Sequence, residues 1–160
     1  MKKILIALDY DPTAQKIAET GYGLAKAMNA QVVLLHVISE PVYYSSLNYS
    51  PIMGFDGFNS IDTIQPETAD TLTETAQGFL DESKRFLGDE SIKTVVSRGE
   101  FGNAILETAK KIAADIIVLG THSRRGLEKI LVGSVTEHVL HRSTIPLFII
   151  PTRSFDEDRR

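Results

Sequence analysis

The sequence holds no cysteine and no tryptophan in its 160 residues. Without a thiol there is no disulfide framework, no thiolate metal site and no cysteine nucleophile. Long hydrophobic runs are missing too. The run from Val32 to Ile38 is seven residues, against roughly 20 for a membrane-crossing helix, and no leader with a cleavage site is expected ahead of Ile4. Nor is there an excess of basic charge. The 17 Lys and Arg face 21 Asp and Glu, a net charge of −4, which argues against a non-specific nucleic-acid binder. Two phosphate-binding signatures are also absent. There is no G-x-x-x-x-G-K-[ST], so the lysine that grips β- and γ-phosphates in a P-loop is lacking. Gly21-Tyr22-Gly23 lies inside a helical pattern rather than at a strand-to-helix turn, so it is no dinucleotide fingerprint.

What remains is an ordinary globular composition, 42% apolar and 24% charged, in a chain long enough to bury one core. The cytoplasm is the simplest location for it. Charge is unevenly spread. Residues 1–90 carry 13 acidic and 6 basic side chains (net −7), and residues 91–160 carry 8 and 11 (net +3). The basic excess gathers around Arg124, Arg125, Lys129 and Arg142, either as a solvated face or as an anion-facing one.

Taken in order, Lys3 to Leu8 is an apolar run of strand length that ends at Asp9. Asp11-Pro12-Thr13 is a helix-start signal. From Ala14 to Met28, apolar residues recur at three- and four-residue spacing, and Asn29 reads as the stop. Val32 to Ile38 is almost continuously apolar, as a strand covered on both faces should be. Residues 39–66 break the rhythm as a long aromatic loop holding Tyr43, Tyr44, Tyr49, Phe55 and Phe58. Thr68 to Leu87 is helical and ends at Gly88, and Ile92 to Ser97 is a more polar strand suited to a sheet edge. Glu100 to Ala113 predicts a helix with Phe101, Ile105, Ala109, Ile112 and Ala113 inward. Ile116 to Leu119 is a fourth strand, Ser134 to about Arg142 a helix, and Ile145 to Ile150 a last strand in which Pro146 marks either a sheet edge or the strand's start. Residues 153–160 form a charged tail beyond a single domain of residues 1–152.

Strands joined by helical crossovers imply an α/β fold, a five-stranded mainly parallel sheet with helices on both faces. Ligands of such sheets sit beyond the carboxyl ends of the strands, where the winding reverses. Here the reversal is expected between the first strand, ending in Asp9, and the fourth, ending in Gly120. Within Ile116 to Val135, Gly120 lacks a Cβ and would let a ligand approach the backbone. Gly133-Ser134 at a helix start offers free N–H groups, a hydroxyl and the positive end of the helix dipole, the parts of an anion site. Arg124 and Arg125 could add charge-assisted bonds to phosphate. The plainer alternatives are a tight turn at Gly120 and an N-cap role for Ser134.

The spacing Gly120-x2-Ser123-x9-Gly133-Ser134 resembles the G-x2-G-x9-G-[ST] motif of the ATP-binding universal stress proteins. Three of the four motif positions match, and Ser123 stands where the second glycine is usual. The likeness covers about residues 2–151, including the strand ending in Asp9, the LLHVI strand and the GSVTEHVLHRSTIPLFIIP close. It departs at Tyr43–Pro66 and at Ala7-Leu8, where many members carry a proline-containing turn. The resemblance implies a Rossmann-like fold of the adenine nucleotide α-hydrolase type. It also implies that ATP, or AMP or ADP, is bound with Mg2+ or Mn2+ held through the phosphates. By position, Asp9 would hold the adenine or ribose end and Val37 would pack on the base. Gly120, His122, Ser123 and Arg124 would wrap the phosphates together with Gly133, Ser134 and Val135. Where Ser123 requires a left-handed backbone it costs roughly 1–2 kcal/mol; where it does not, its hydroxyl is an added phosphate donor.

His36, in a buried strand, reads as a satisfied core residue. His138 and His141 are three apart on the last helix but lack a third ligand at metal spacing, and His122 alone falls in the loop. No nucleophile–base pair or carboxylate dyad stands out, so no catalytic residue is assigned and slow ATP hydrolysis is the most expected of the chain. The leading expectation is a nucleotide-binding regulatory protein of the stress-response type with an unknown protein partner. The alternatives are an ATP-using hydrolase or transferase, with an acceptor site supplied by Tyr43–Phe58, and a nucleotide-free dimeric interaction module. A homodimer through Ile145 to Ile150 is expected, since that apolar strand would otherwise leave an unpaired edge.

Overall fold

Ile4, Leu5 and Ile6 are consecutive and have no exposed surface. A strand turns successive side chains to opposite faces, so three such residues in a row require cover on both sides. That is the setting of β1 (Lys3–Ala7), the central strand of the sheet. The computed structural model describes residues 1–10, 12–39, 69–121 and 133–152. The aromatic stretch Tyr43–Phe58, the loop residues His122, Ser123, Arg124, Arg125 and Lys129, and the charged tail lie outside the described residues.

The other strands are β2 (Gln31–Ile38), β3 (Lys93–Arg98), β4 (Ile116–Gly120) and β5 (Leu147–Ile150). The sheet order is β3-β2-β1-β4-β5, and every neighbouring pair is parallel. The helices are α1 (Ala14–Ala27), α2 (Ala69–Leu87), α3 (Phe101–Lys111) and α4 (Ser134–Arg142). Ile4, Ile6, Val32, Leu34 and Val118 face Ile17 and Ala18 of α1 and Phe79 and Leu80 of α2. Leu5, Val33, Leu35, Ile117 and Leu119 face Ala104, Ile105 and Ala109 of α3 and Val139 of α4. The chain winds outward from β1 to β3, crosses back through α3 to β4, and continues outward to β5. Right-handed crossovers run in opposite directions across a sheet lie on opposite faces, which is why α1 and α2 share one side and α3 and α4 the other.

The element order and the single-domain α/β class agree with the sequence reading, including the polar β3 at one edge and β5 at the other. Asn29 (φ 50°) and Gly88 (φ 69°) end α1 and α2 in the left-handed conformation that their residue types favour. One inward expectation fails. Ala113 lies beyond the end of α3, is exposed, and is itself left-handed at φ 54°, because it makes the turn into β4. The last strand starts two residues later than expected. Ile145 is held in a turn, its N–H donating to Ser143 Oγ at 3.0 Å and its carbonyl accepting from the same hydroxyl at 2.7 Å.

The amino edge of the sheet is occupied by the protein's own bonds. Asp115 accepts from the Lys3 backbone N–H at 2.8 Å and from Lys2 Nζ at 3.2 Å, and these bonds hold its carboxyl below the usual range. The carboxyl edge is organised differently.

Candidate functional site

Two strand registers set the carboxyl edge. Ile6 lies opposite Val118, and Ala7 lies opposite Leu35. Asp9 is three residues past Ile6, as Thr121 is past Val118, and two past Ala7, as Val37 is past Leu35. The ends of β1, β2 and β4 therefore reach one level, beside the point between β1 and β4 where the winding reverses.

Beyond β4 a group of threonines fixes the chain. Thr121 N–H donates to the Ile150 carbonyl at 3.0 Å, extending the β4–β5 ladder by one residue. The Thr121 and Thr152 hydroxyls lie 3.1 Å apart, and Thr152 N–H donates to Thr121 Oγ1 at 3.1 Å. The buried Thr136 hydroxyl, on α4, donates to the Gly120 carbonyl at 2.7 Å. Gly133 N–H donates to the Thr121 carbonyl. Residues 121 and 133 flank the centre of the motif, so its two ends meet at a single hydrogen-bonded point.

That point is also where α4 begins. Gly133 is the N-cap, extended at φ −67° and ψ 157°, and as a glycine it brings no capping side chain. Ser134 is the first helical residue and is exposed, so it is not the N-cap. With no side-chain acceptor from its N-cap residue, such an N-terminus suits an anion on its first-turn N–H groups, with the dipole in its favour. Glu137 is the acidic residue of this turn, and its carboxylate lies 3.8 Å from His141 Nε2, one turn further along.

The remaining candidates are placed as follows. Asp9 Oδ1 accepts from the Tyr10 backbone N–H at 2.8 Å, and the N-cap position of α1 is Thr13. Val37 is buried in the core facing α3 and α4, and Val135 is half-buried against the same cluster. Gly120 has a different reason from the one its sequence suggests. A Cβ there would lie 2.4 Å from Ile17 Cδ1 and 2.8 Å from Thr152 Cγ2, so the space is filled by protein and the constraint is packing. Arg142 falls in the last turn of α4, roughly 12 Å along the axis from Ser134, and so lies away from this edge. His122, Ser123 and Arg124 lie outside the described residues.

Sequence reasoning passed over Thr121, Thr136 and Thr152, and threonine at a strand end carries no local signal that would single them out. It also read His36 as satisfied, which is half right. His36 is 1% exposed, and Nδ1 lies 2.9 Å from the Leu8 carbonyl. Its Nε2 has no hydrogen-bond partner among the described residues. Burial pushes the imidazole down to about 4, and the Leu8 bond pulls part of the way back. His138 Nε2 bonds Asn103 Oδ1 at 2.9 Å, and its ring packs so closely over Gly102 that a Cβ there would lie 2.4 Å from Cδ2. Among the described residues no three His, Asp or Glu are grouped to hold a metal ion, and no helix is long and apolar enough to cross a membrane.

A doubly wound, fully parallel five-stranded sheet whose winding reverses between β1 and β4 defines the Rossmann-like α/β class. Within it, the chain belongs to the universal stress protein family, whose family model matches residues 1–151. Universal stress protein MJ0577 of Methanocaldococcus jannaschii is 32% identical over 157 residues, 96% of each chain. Universal stress protein A homolog 1 of Coxiella burnetii is 31% identical over 150 residues, 93% of this chain and 95% of that one. Among solved structures, MJ0577 superposes with a TM-score of 0.72 at 28% identity, over 96% of this chain and 97% of that one. A universal stress protein in complex with cAMP superposes with a TM-score of 0.61 at 18% identity, over 95% and 98%, a likeness of fold.

Proposed function

We propose that this chain binds an adenine nucleotide, ATP or its AMP or ADP forms, at the carboxyl edge between β1 and β4, and acts as a regulatory protein of the stress-response type. The observation that carries the reading is the junction of Thr121 with Gly133. It brings a helix N-terminus with no capping side chain to the end of β4, at the level reached by Asp9 on the neighbouring strand. Backbone N–H groups of Ser134 and Val135 and the Ser134 hydroxyl then face the phosphates. Asp9 takes the ribose or adenine end, and the end of β2 at Val37 takes the base. Gly120 fixes the turn from which the phosphate-wrapping residues depart. His122, Ser123 and Arg124 belong to this reading through the motif alone. A divalent cation, Mg2+ or Mn2+, is carried on the phosphates and not by a protein ligand set. Support also comes from family membership and from the cAMP-bound relative of the same fold.

Nothing in the described arrangement pairs a nucleophile with a base, so the reading is binding, with hydrolysis at most slow. The signal passed on is a surface or dimer contact that depends on the bound nucleotide. The second copy pairs through the outer edge of β5, the last strand of the sheet order, on which Phe148 (37% exposed) presents apolar surface. Calorimetric titration of nucleotide-free protein with ATP and Mg2+ tests the binding; absence of heat at millimolar nucleotide refutes it. Light scattering at micromolar protein tests the pairing, for which a monomer mass is the contrary result.

A further inference from the structure

His36 is built into the protein at a cost. Its buried Nε2 has no partner among the described residues, which is unfavourable, and an apolar side chain would fill the same place in the core without that cost. The position of the ring supplies a reason for its presence. A carbonyl oxygen only accepts, so the proton of the neutral ring sits on Nδ1 and is donated to Leu8 O at 2.9 Å. The same ring lies against Tyr10, with centroids 4.2 Å apart and planes 32° apart. Leu8 and Tyr10 are the two neighbours of Asp9. Phe79 of α2 fixes the pair from the side, edge-on to Tyr10 at 5.1 Å and to His36 at 5.7 Å.

We infer that His36 is a positioning residue for the nucleotide site: by holding Leu8 through Nδ1 and Tyr10 through its ring face, it clasps the β1 exit on both sides of Asp9 and sets that carboxylate. The inference rests on the proposed nucleotide site for its consequence, and on the local geometry alone for the clasp itself. Leu8 already pairs with β2, its N–H donating to Leu35 O at 2.8 Å, so the sheet ladder directs one side of Leu8 and His36 the other. Past Leu8 the strand has ended, and the ring of β2 is what continues the hold to Tyr10. Asp9 Oδ1 is in turn tied to Tyr10 N–H, so the orientation of Tyr10 is transmitted to the carboxylate.

Two substitutions separate the halves of the clasp. His36→Phe keeps an aromatic ring against Tyr10 and Phe79 and removes both nitrogens. His36→Asn keeps an N–H donor near the place of Nδ1 and removes the ring. A residue that only fills the core would order stability and affinity alike, with Phe the better substitute in both. A positioning residue splits them. His36→Phe is expected to keep its thermal midpoint near the wild-type value while ATP affinity falls on the order of tenfold, the scale at which outer-partner loss weakens a site. His36→Asn is expected to be the less stable of the two and to recover much of the affinity. Amide exchange in nucleotide-free protein reads the clasp directly. Exchange accelerates at Leu8 in His36→Phe, which loses the Nδ1 bond, and at Tyr10 in His36→Asn, which loses the ring, while Ile4 to Ile6 stay protected in both. A folded His36→Phe chain with wild-type exchange at Leu8 overturns the clasp. Wild-type ATP affinity in a chain with accelerated exchange overturns its role in the site. Should His36→Phe not fold, His36→Asn decides: accelerated exchange at Tyr10 with Ile4 to Ile6 still protected supports the ring contact, and wild-type exchange at Tyr10 overturns it. If ATP fails to bind even the wild-type chain, the nucleotide reading falls and the exchange result still judges His36.

Discussion

The buried imidazole of His36 makes stability depend on pH in a window where carboxylates contribute little. Burial lowers its value from 6.5 to about 4 in the folded chain, while the unfolded chain titrates at the ordinary 6.5. Above pH 6.5 the ring is neutral in both states and exacts no penalty. Between 6.5 and about 4 the unfolded chain takes up a proton that the folded chain refuses, so folding weakens as pH falls, by about 1.4 kcal/mol per unit. Below about 4 both states are protonated and the full loss is about 3 kcal/mol. From pH 7.5 to pH 5.0 the expected loss is about 2 kcal/mol, or a thermal midpoint lower by roughly 4–8 °C for a domain of this size. Urea unfolding at the two pH values, in wild type and in His36→Phe, measures it. Everything else that is ionisable is common to the two chains and cancels in the comparison. Equal pH sensitivity in the two chains would refute the reasoning, because it would mean that His36 is neutral and protonated with equal ease in the folded state.

Two further outcomes follow from packing and backbone geometry. Gly120→Ala drives a methyl against Ile17 and Thr152 and is expected to destabilise the chain by about 1–3 kcal/mol in urea unfolding; an unchanged midpoint would mean that the contact relaxes freely. Ala113→Gly relieves an exposed left-handed residue at φ 54° and is expected to raise stability by up to about 1 kcal/mol. That figure is the left-handed cost of roughly 1–2 kcal/mol less the extra unfolded-state entropy of glycine, and a thermal scan reads its sign.

The fold was legible because its signals are local. Apolar runs at Ile4–Ile6 and Val32–Ile38 announce doubly covered strands, and Asn29 and Gly88 mark helix ends by residue type. Alternation of strand and helix restricts the topology to a wound parallel sheet, since right-handed crossovers leave few other arrangements. The candidate site was legible as a convergence, Asp9 and Gly120 ending strands that turn out to be neighbours, and as a spacing from Gly120 to Gly133 that ends at a helix start.

The bonds that join these pieces could not be read the same way. Thr121 meets Thr152, 31 positions away, and His36 meets Leu8, 28 positions away, on strands whose register appears only once the sheet is assembled. Gly120 shows the difference in one residue. Its type was plain in the sequence, and the reason for it, the side chains of Ile17 and Thr152 occupying the space of a Cβ, belongs to packing between α1 and the end of β5. The sequence by itself determined which segments are strands and helices and which turns interrupt them, because backbone preference and hydrophobic period act over a few residues. Only the tertiary structure decided what holds Asp9 and where α4 points its open N-terminus, because hydrogen bonds and ring contacts between distant segments exist only after the strands take their order.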